Sequence, residues 1–332
     1  VSYKDFNQAT DIAVQRGIVN EIIPLTGAFF SGSPSAYVRN YLNITSGSFL
    51  SGGFFQTVYD GSPTSLSASA LVDLTYGFSS ASSNAGYAAT FLPNEKKRVY
   101  KEMARYLLGS DNQQFNFNNT NYTDCFFLLF KRRIAKDEIK KGTFALTLQV
   151  QGGVSDFITI SDTGAAGNYK TTPGGDAGIV YSGSTAVGSI YYNAGIVVFH
   201  TGVFVPPAST TSTPWSGSLN LSQIMSGNID NTVDGLRNRI NQCTFQNQTN
   251  LHSSVYFCRA YNSEFNYSTN PTFIDSIGRI VPTSGTDNQT RTYITSVGLY
   301  DINDNLLAIA KLSQPVKKSP ESEVTVRVKL SY

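Results

Sequence analysis

Two histidines, His200 and His252, and three cysteines, Cys125, Cys243 and Cys258, are the residues best suited to nucleophilic or metal chemistry in this chain. Nucleophilic catalysis wants a Ser or Cys beside a His base that an acid orients. His200 closes the apolar run GIVVFH and His252 opens HSSVYFC. Imidazoles at such strand ends are ordinarily solvated or bonded to backbone, and no GxSxG elbow accompanies them. There is no HExxH or CxxC, and no spacing groups the histidines and cysteines into a zinc site. Asp301-Ile302-Asn303-Asp304-Asn305 has the oxygens of a calcium loop but lacks its central Gly and distal bidentate Glu. Between two strands it reads as a tight turn, because Asn and Asp tolerate left-handed backbone. The glycine pairs Gly52-Gly53, Gly152-Gly153 and Gly174-Gly175 precede neither Lys-Ser/Thr nor a helix, which leaves no cradle for phosphate. Nothing marks Asp73, Asp124, Asp162 or Glu264 as partners in a glycosidase acid pair. The expectation is a chain that is not an enzyme, with no catalytic residue, no metal and no cofactor.

Composition points the same way. Charged residues make up 14% of the 332 residues, against about 25% in average globular proteins. Gly, Ser, Thr, Asn and Tyr fill the deficit, giving a polar, weakly charged surface that is cheap to desolvate against a partner. A net charge of +2 argues against nucleic acid as a partner, since phosphate affinity needs a concentrated basic face. The basic clusters at Glu95–Arg105 and Lys131–Lys141 interleave with acids and read as solvated helix faces. An odd cysteine count without framework spacing favours a reducing compartment. No signal peptide opens the sequence and no apolar run approaches the roughly 20 residues of a membrane span. A soluble protein made inside the cell, with no membrane partner, is expected.

The elements follow from periodicity. Asp11–Ile23 reads as loosely helical, weakened by Gly17. Phe54–Tyr59 and Leu71–Phe78 read as strands. Asn94–Leu108 is the clearest helix, with Val99, Met103 and Leu107 as its buried stripe and Lys96, Lys97, Lys101 and Arg105 solvated. Cys125–Phe130 is a strand, Ala135–Lys141 a second basic helical turn, and Thr143–Gln149 a strand that turns Phe144, Leu146 and Leu148 inward. Short strands at Phe157–Ser161, Gly178–Tyr181, Ser189–Tyr192 and Gly195–Phe199 precede the loop Pro206–Pro214. A second amphipathic helix is expected over Asp230–Gln242. Arg291–Tyr300 and Asn305–Leu312 pair as a hairpin, Ser313–Ser322 links onward, and Glu323–Tyr332 alternates as a strand with one wet face. The expected fold is β-rich α+β: antiparallel sheets in a sandwich-like body with two or three amphipathic helices. The expected regions are 1–150 (α+β, holding the helix), 151–216 (a β-rich module) and 217–332 (a helix plus antiparallel sheet).

The run VYFCRAYNSEFNYSTNPTF, Val255 to Phe273, stands out. Its first six residues alternate as a core strand could. Tyr261–Phe273 is too polar for a core and too aromatic for an idle loop, so it reads as a contact surface or an ordered loop. Interface cores gather aromatics and shed Lys, Glu and Asp. Tyr256, Arg259, Tyr261, Phe265, Tyr267, Phe273 and, from the hairpin, Tyr300 are the candidate interface residues. Trp215, after the Pro-rich loop, is compatible with stacking on a sugar or with anchoring that loop.

Four segments together carry a resemblance: EKKRVYKEMARYLLG (Glu95–Gly109), DCFFLLFKRRIAKDEIKKGTFALTL (Asp124–Leu148), the aromatic run, and ITSVGLYDINDNLLAIAKLSQPVKKSPESEVTVRVKL (Ile294–Leu330). They resemble uncharacterised virion structural proteins of contractile-tailed, T4-like bacteriophages, especially those of cyanobacteria, over about half of the chain. The resemblance implies a tail or baseplate subunit of the virion more readily than a head or neck component. Its implied partners are other virion proteins and copies of itself. A host receptor or carbohydrate remains open as a further ligand. The family supplies no catalytic residues to carry over.

Overall fold

In a computed structural model, the described residues are 3–25, 29–31, 38–39, 43–47, 54–82, 93–149, 157–164, 167, 169–204, 229–237, 239–268, 270–278 and 290–331. Trp215, the loop Pro206–Pro214 and the pairs Gly52-Gly53 and Gly152-Gly153 lie outside them. The fold is β-rich α+β, with 53% of the described residues in strands and 13% in helices, so the helices clothe a framework that sheet hydrogen bonds build. The chain divides into two units, one of residues 19–249 and one of residues 1–18 and 250–332. The strands Ile12–Pro24 and Ile240–Ala260 have residues in both.

In the 19–249 unit the sheet runs in the order Ile240–Ala260, Ala145–Gln149, Phe157–Ser161, Gly175–Ser182, Thr185–Tyr191, Ile196–His200, Asp124–Phe130, Ala70–Phe78, Phe55–Tyr59 and Ile44–Gly47. The registered neighbours along this path are antiparallel. Strands in the middle are apolar on both faces, so both must be covered. On one face Val72, Leu74, Tyr76, Phe126, Leu128, Val197 and Phe199 join a core that takes in Leu146, Leu148 and Phe245. Phe130 lies 4.8 Å from Phe245 and 6.2 Å from Phe144, ring centre to ring centre, so the sheet curls until distant strands share one core. The helix Ile229–Arg237 adds Val233 and Leu236, both fully buried, to that core.

On the other face the helix Pro93–Leu108 covers Cys125, Phe127 and Val198. Its buried stripe is Lys96, Tyr100, Ala104 and Leu107. Val99 and Met103 are only half-buried, and Lys96, expected in solvent, is 2% exposed. The stripe is rotated from the expected one because Tyr100 carries a larger apolar area than Met103 and its hydroxyl finds partners inside. It donates to the Tyr122 carbonyl at 2.6 Å and accepts from the Phe115 amide at 3.0 Å. Gly77 permits the approach: a Cβ there would lie 2.7 Å from the Tyr100 amide nitrogen.

Four sequence expectations are corrected. Asp11–Ile23 is not helical: Ile12–Pro24 is a strand beside Ile240–Ala260. Its six β-branched residues and Gly17 are stiff or unfavourable in a helix and fit a pleated surface. The helical turn near 135 comes earlier, at Arg132–Ala135, and Glu138–Ile139 is a short strand. The second helix stops at Arg237, since Ile240 already belongs to a strand. Ser313–Lys318 is the end of the strand Leu306–Lys318, where Pro315 is accommodated because the strand is an edge.

Candidate assembly surface

The seven candidate interface residues all fall in the unit of residues 1–18 and 250–332. Here Ser253–Ala260 pairs antiparallel with Val324–Ser331. The second strand alternates as expected, with Val328 buried and Thr325, Arg327 and Lys329 exposed. Tyr256 is half-buried and packs its ring 5.5 Å from Phe6. Arg259 points outward, held by Asp11 at 3.3 Å and the Thr10 carbonyl at 3.1 Å.

Tyr261–Ser268 is a loop fixed by two lysines. Lys318 is fully buried, and its ammonium donates to the Asn262 carbonyl at 3.1 Å, Asn266 Oδ1 at 2.9 Å and the Ser319 carbonyl at 2.8 Å. Asn266 in turn donates to the Asn262 carbonyl at 2.6 Å. Lys4 bonds Glu264 at 2.9 Å while lying 3.7 Å from the centre of the Tyr261 ring. Glu264 also accepts from the Tyr261 amide, and the Lys4 bond leads in drawing its carboxyl below the usual range. Phe265 sits at φ +52° with its carbonyl taking the Thr292 hydroxyl at 2.9 Å. The asparagines of this run therefore close the loop from within. Tyr261 and Tyr267 stay exposed, Tyr267 edge-on to half-buried Phe273 at 6.0 Å.

An open apolar surface belongs to the hairpin, a signal present in GLYDINDNLLAIAKL but represented among the candidates by Tyr300 alone. Thr292–Tyr300 and Leu306–Lys318 form a two-stranded sheet. Tyr293, Tyr300, Ile302, Leu306, Leu307 and Ile309 are each at least half exposed, Ile302 at 99%. Asp301 serves the turn: its carboxylate accepts from the Asn303 and Asn305 amides, both at 2.8 Å, and from the Asn305 side chain at 2.9 Å. The Asn305 side-chain bond leads in lowering its pKa. Asp304 takes the left-handed position, φ +62°. Among the described residues of this unit, only Val255, Ala260, Leu299 and Val328 are buried apolar side chains, too few for the strand surface on view.

The residues weighed for chemistry are dispersed. His200 stacks on Tyr122 at 4.3 Å, and burial pushes its pKa down to about 4. His252 is exposed, in a different strand. Cys125 and Cys243 are buried free thiols whose burial pushes their pKa values up, Cys243 to about 12. Asp162 is buried and bonds the Gly142 and Phe144 amides and the Tyr192 hydroxyl. Asp124 accepts from the Ser82 and Thr123 hydroxyls. Asp73 accepts from Thr57 and Lys131 on the edge of a groove of about 440 Å³, between the helix Pro93–Leu108 and the sheet, whose floor is Phe54, Phe55, Val99 and Leu129. Among the described residues no group of His, Cys, Asp and Glu could hold a metal ion, and no helix is long and apolar enough to cross a membrane. Compared with protein-family models, curated proteins and solved structures, the chain matches none.

Proposed function

We propose that this chain is a non-enzymatic structural subunit of a tailed bacteriophage virion, placed in the tail or baseplate and joined to its neighbours through uncharged aromatic surface and β edges. The observation that carries the assembly reading is the hairpin. A two-stranded ribbon in water is marginal by itself, yet this one leaves Tyr300, Leu306, Leu307 and Ile309 open. A long, apolar, unpaired strand edge is a liability that proteins leave open where another chain adds to it. The placement in a phage particle rests on the four segments that resemble virion proteins.

Purified particles tested with an antibody against the chain decide the matter. A fixed number of copies per particle, with gold label over the tail or baseplate, is the expected result. Label over the head or neck would relocate the subunit, and absence from washed particles would end the virion reading.

A further inference from the structure

We propose that the hairpin pairs with the hairpin of a second copy, antiparallel along Thr292–Tyr300, across a two-fold axis at Ser296. This deepens the assembly reading by naming the partner, and it rests on that reading in taking a copy of the chain as neighbour.

The two edges of the ribbon differ in kind. Leu306–Lys318 carries Lys311, Lys317 and Pro315. Ser296 pairs with Lys311 while Ile294 pairs with Val316, so Leu312–Pro315 bulges out opposite Thr295 alone. Bulges, lysines and proline are the devices that stop an edge from pairing. The edge TYITSVGLY has none of them. It is continuous, rich in β-branched and aromatic residues, and uncharged along all nine positions. Among the described residues no third strand pairs with it.

Charge then sets direction and register. A parallel arrangement would bring the acidic turns, Asp301 and Asp304, side by side. The antiparallel one brings each turn to the base of the other hairpin, where Arg291 and Lys317 lie. A two-fold axis perpendicular to a sheet keeps each residue on its own face, so facing residue numbers must have an even sum. Centring on Ser296 meets this condition. It sets Ile294 opposite Gly298, Thr292 opposite Tyr300, and Asp301 opposite Arg291 at both ends. No like charges meet. Within each copy a Cβ on Gly298 would lie 2.9 Å from the Tyr300 ring, so the ring covers the bare backbone that a facing Ile294 would meet. The product is a four-stranded sheet whose two outer edges are the bulged, lysine-bearing strands Leu306–Lys318, past the three strands that independent stability requires.

A cysteine scan of the full chain in a Cys258→Ser background tests this, with mild oxidation and non-reducing electrophoresis as readout. Ser296 is exposed, so its replacement is compatible with folding. Ser296→Cys places two thiols directly opposite, within disulfide reach, and is expected to give covalent dimer. Ile294→Cys leaves its thiols four residues apart along the strands, about 13 Å, and Ser313→Cys lies on the other strand. Both are expected to crosslink at least about tenfold less. Sedimentation of the unmodified chain over a concentration series is expected to show monomer and dimer. A scan with no maximum at Ser296, equal crosslinking at Ser313, or a chain that stays monomeric would overturn the pairing. The crosslink uses purified chain alone, so its failure is separate from the failure of the virion reading, which only particles decide.

Discussion

Lys318 is the side chain on which the aromatic loop depends. Fully buried, it joins the Asn262 carbonyl, the Asn266 side chain and the Ser319 carbonyl to one ammonium. Lys318→Met keeps the stem and removes the donor. Buried acceptors left unmet cost about 1–3 kcal/mol each, so a loss of about 2–4 kcal/mol is expected in urea unfolding. Hydrogen exchange should quicken over 261–268, and a variant with unchanged exchange there would show that the loop is held otherwise. Asp162 makes a second prediction. Burial, opposed by its bonds to Gly142, Tyr192 and Phe144, raises its pKa above the ordinary 3.8. The folded state thus holds this proton to higher pH than the unfolded chain does. Its contribution to stability is full below about 3.8 and falls as pH rises through the raised native value. Asp162→Asn removes that titration. Between about pH 3 and pH 7 the urea midpoint of the wild type should fall relative to that of the variant as pH rises. Parallel curves would contradict the assignment.

At the scale of elements, the seating of the helix Pro93–Leu108 on its sheet depends on one missing Cβ. At Gly77 that atom would stand 2.7 Å from the Tyr100 nitrogen and 2.8 Å from the Lys96 carbonyl oxygen, both helix backbone that no rotamer change can move. Gly77→Ala should therefore cost about 1–3 kcal/mol by overpacking. Gly167→Ala, where nothing lies within 4 Å, should stay within about 0.5 kcal/mol. Thermal unfolding of both variants checks the pair, and a neutral Gly77→Ala would mean that the helix is free to ride off the sheet.

At the scale of the molecule, the two units differ in what holds them. The 19–249 unit has large aromatic cores on both faces of its sheet, whereas the other has four buried apolar side chains among its described residues. Two-state unfolding is not expected of such a chain. The smaller core should open first. Amides of Val324–Ser331 should exchange before those of Asp124–Phe130 by pulsed hydrogen exchange in denaturant. In the assembled state the early phase should merge with the late one, because association stabilises the unit that makes the contact. A single transition in the isolated chain would refute the difference.

Much of the framework was written locally. The alternation of Phe144, Leu146 and Leu148, the strand Asp124–Phe130, the period-two C-terminal strand and the Asp301–Asn305 turn are set by side-chain period and turn chemistry within a few residues. Sequence alone could therefore announce a β-rich α+β fold and an ordered, partly exposed aromatic loop. It could not say which side of Pro93–Leu108 is buried, because Tyr100 and Lys96 become interior only when Gly77 and the Phe115–Tyr122 segment supply close backbone and hydrogen-bond partners from elsewhere in the chain. Nor could it make a strand of Ile12–Pro24, whose pairing partner lies more than 200 residues away in Ile240–Ala260. The exposure of the hairpin was equally hidden. Leu306, Leu307 and Ile309 look like core in one dimension, and only the tertiary structure shows that the described residues of the unit leave them exposed.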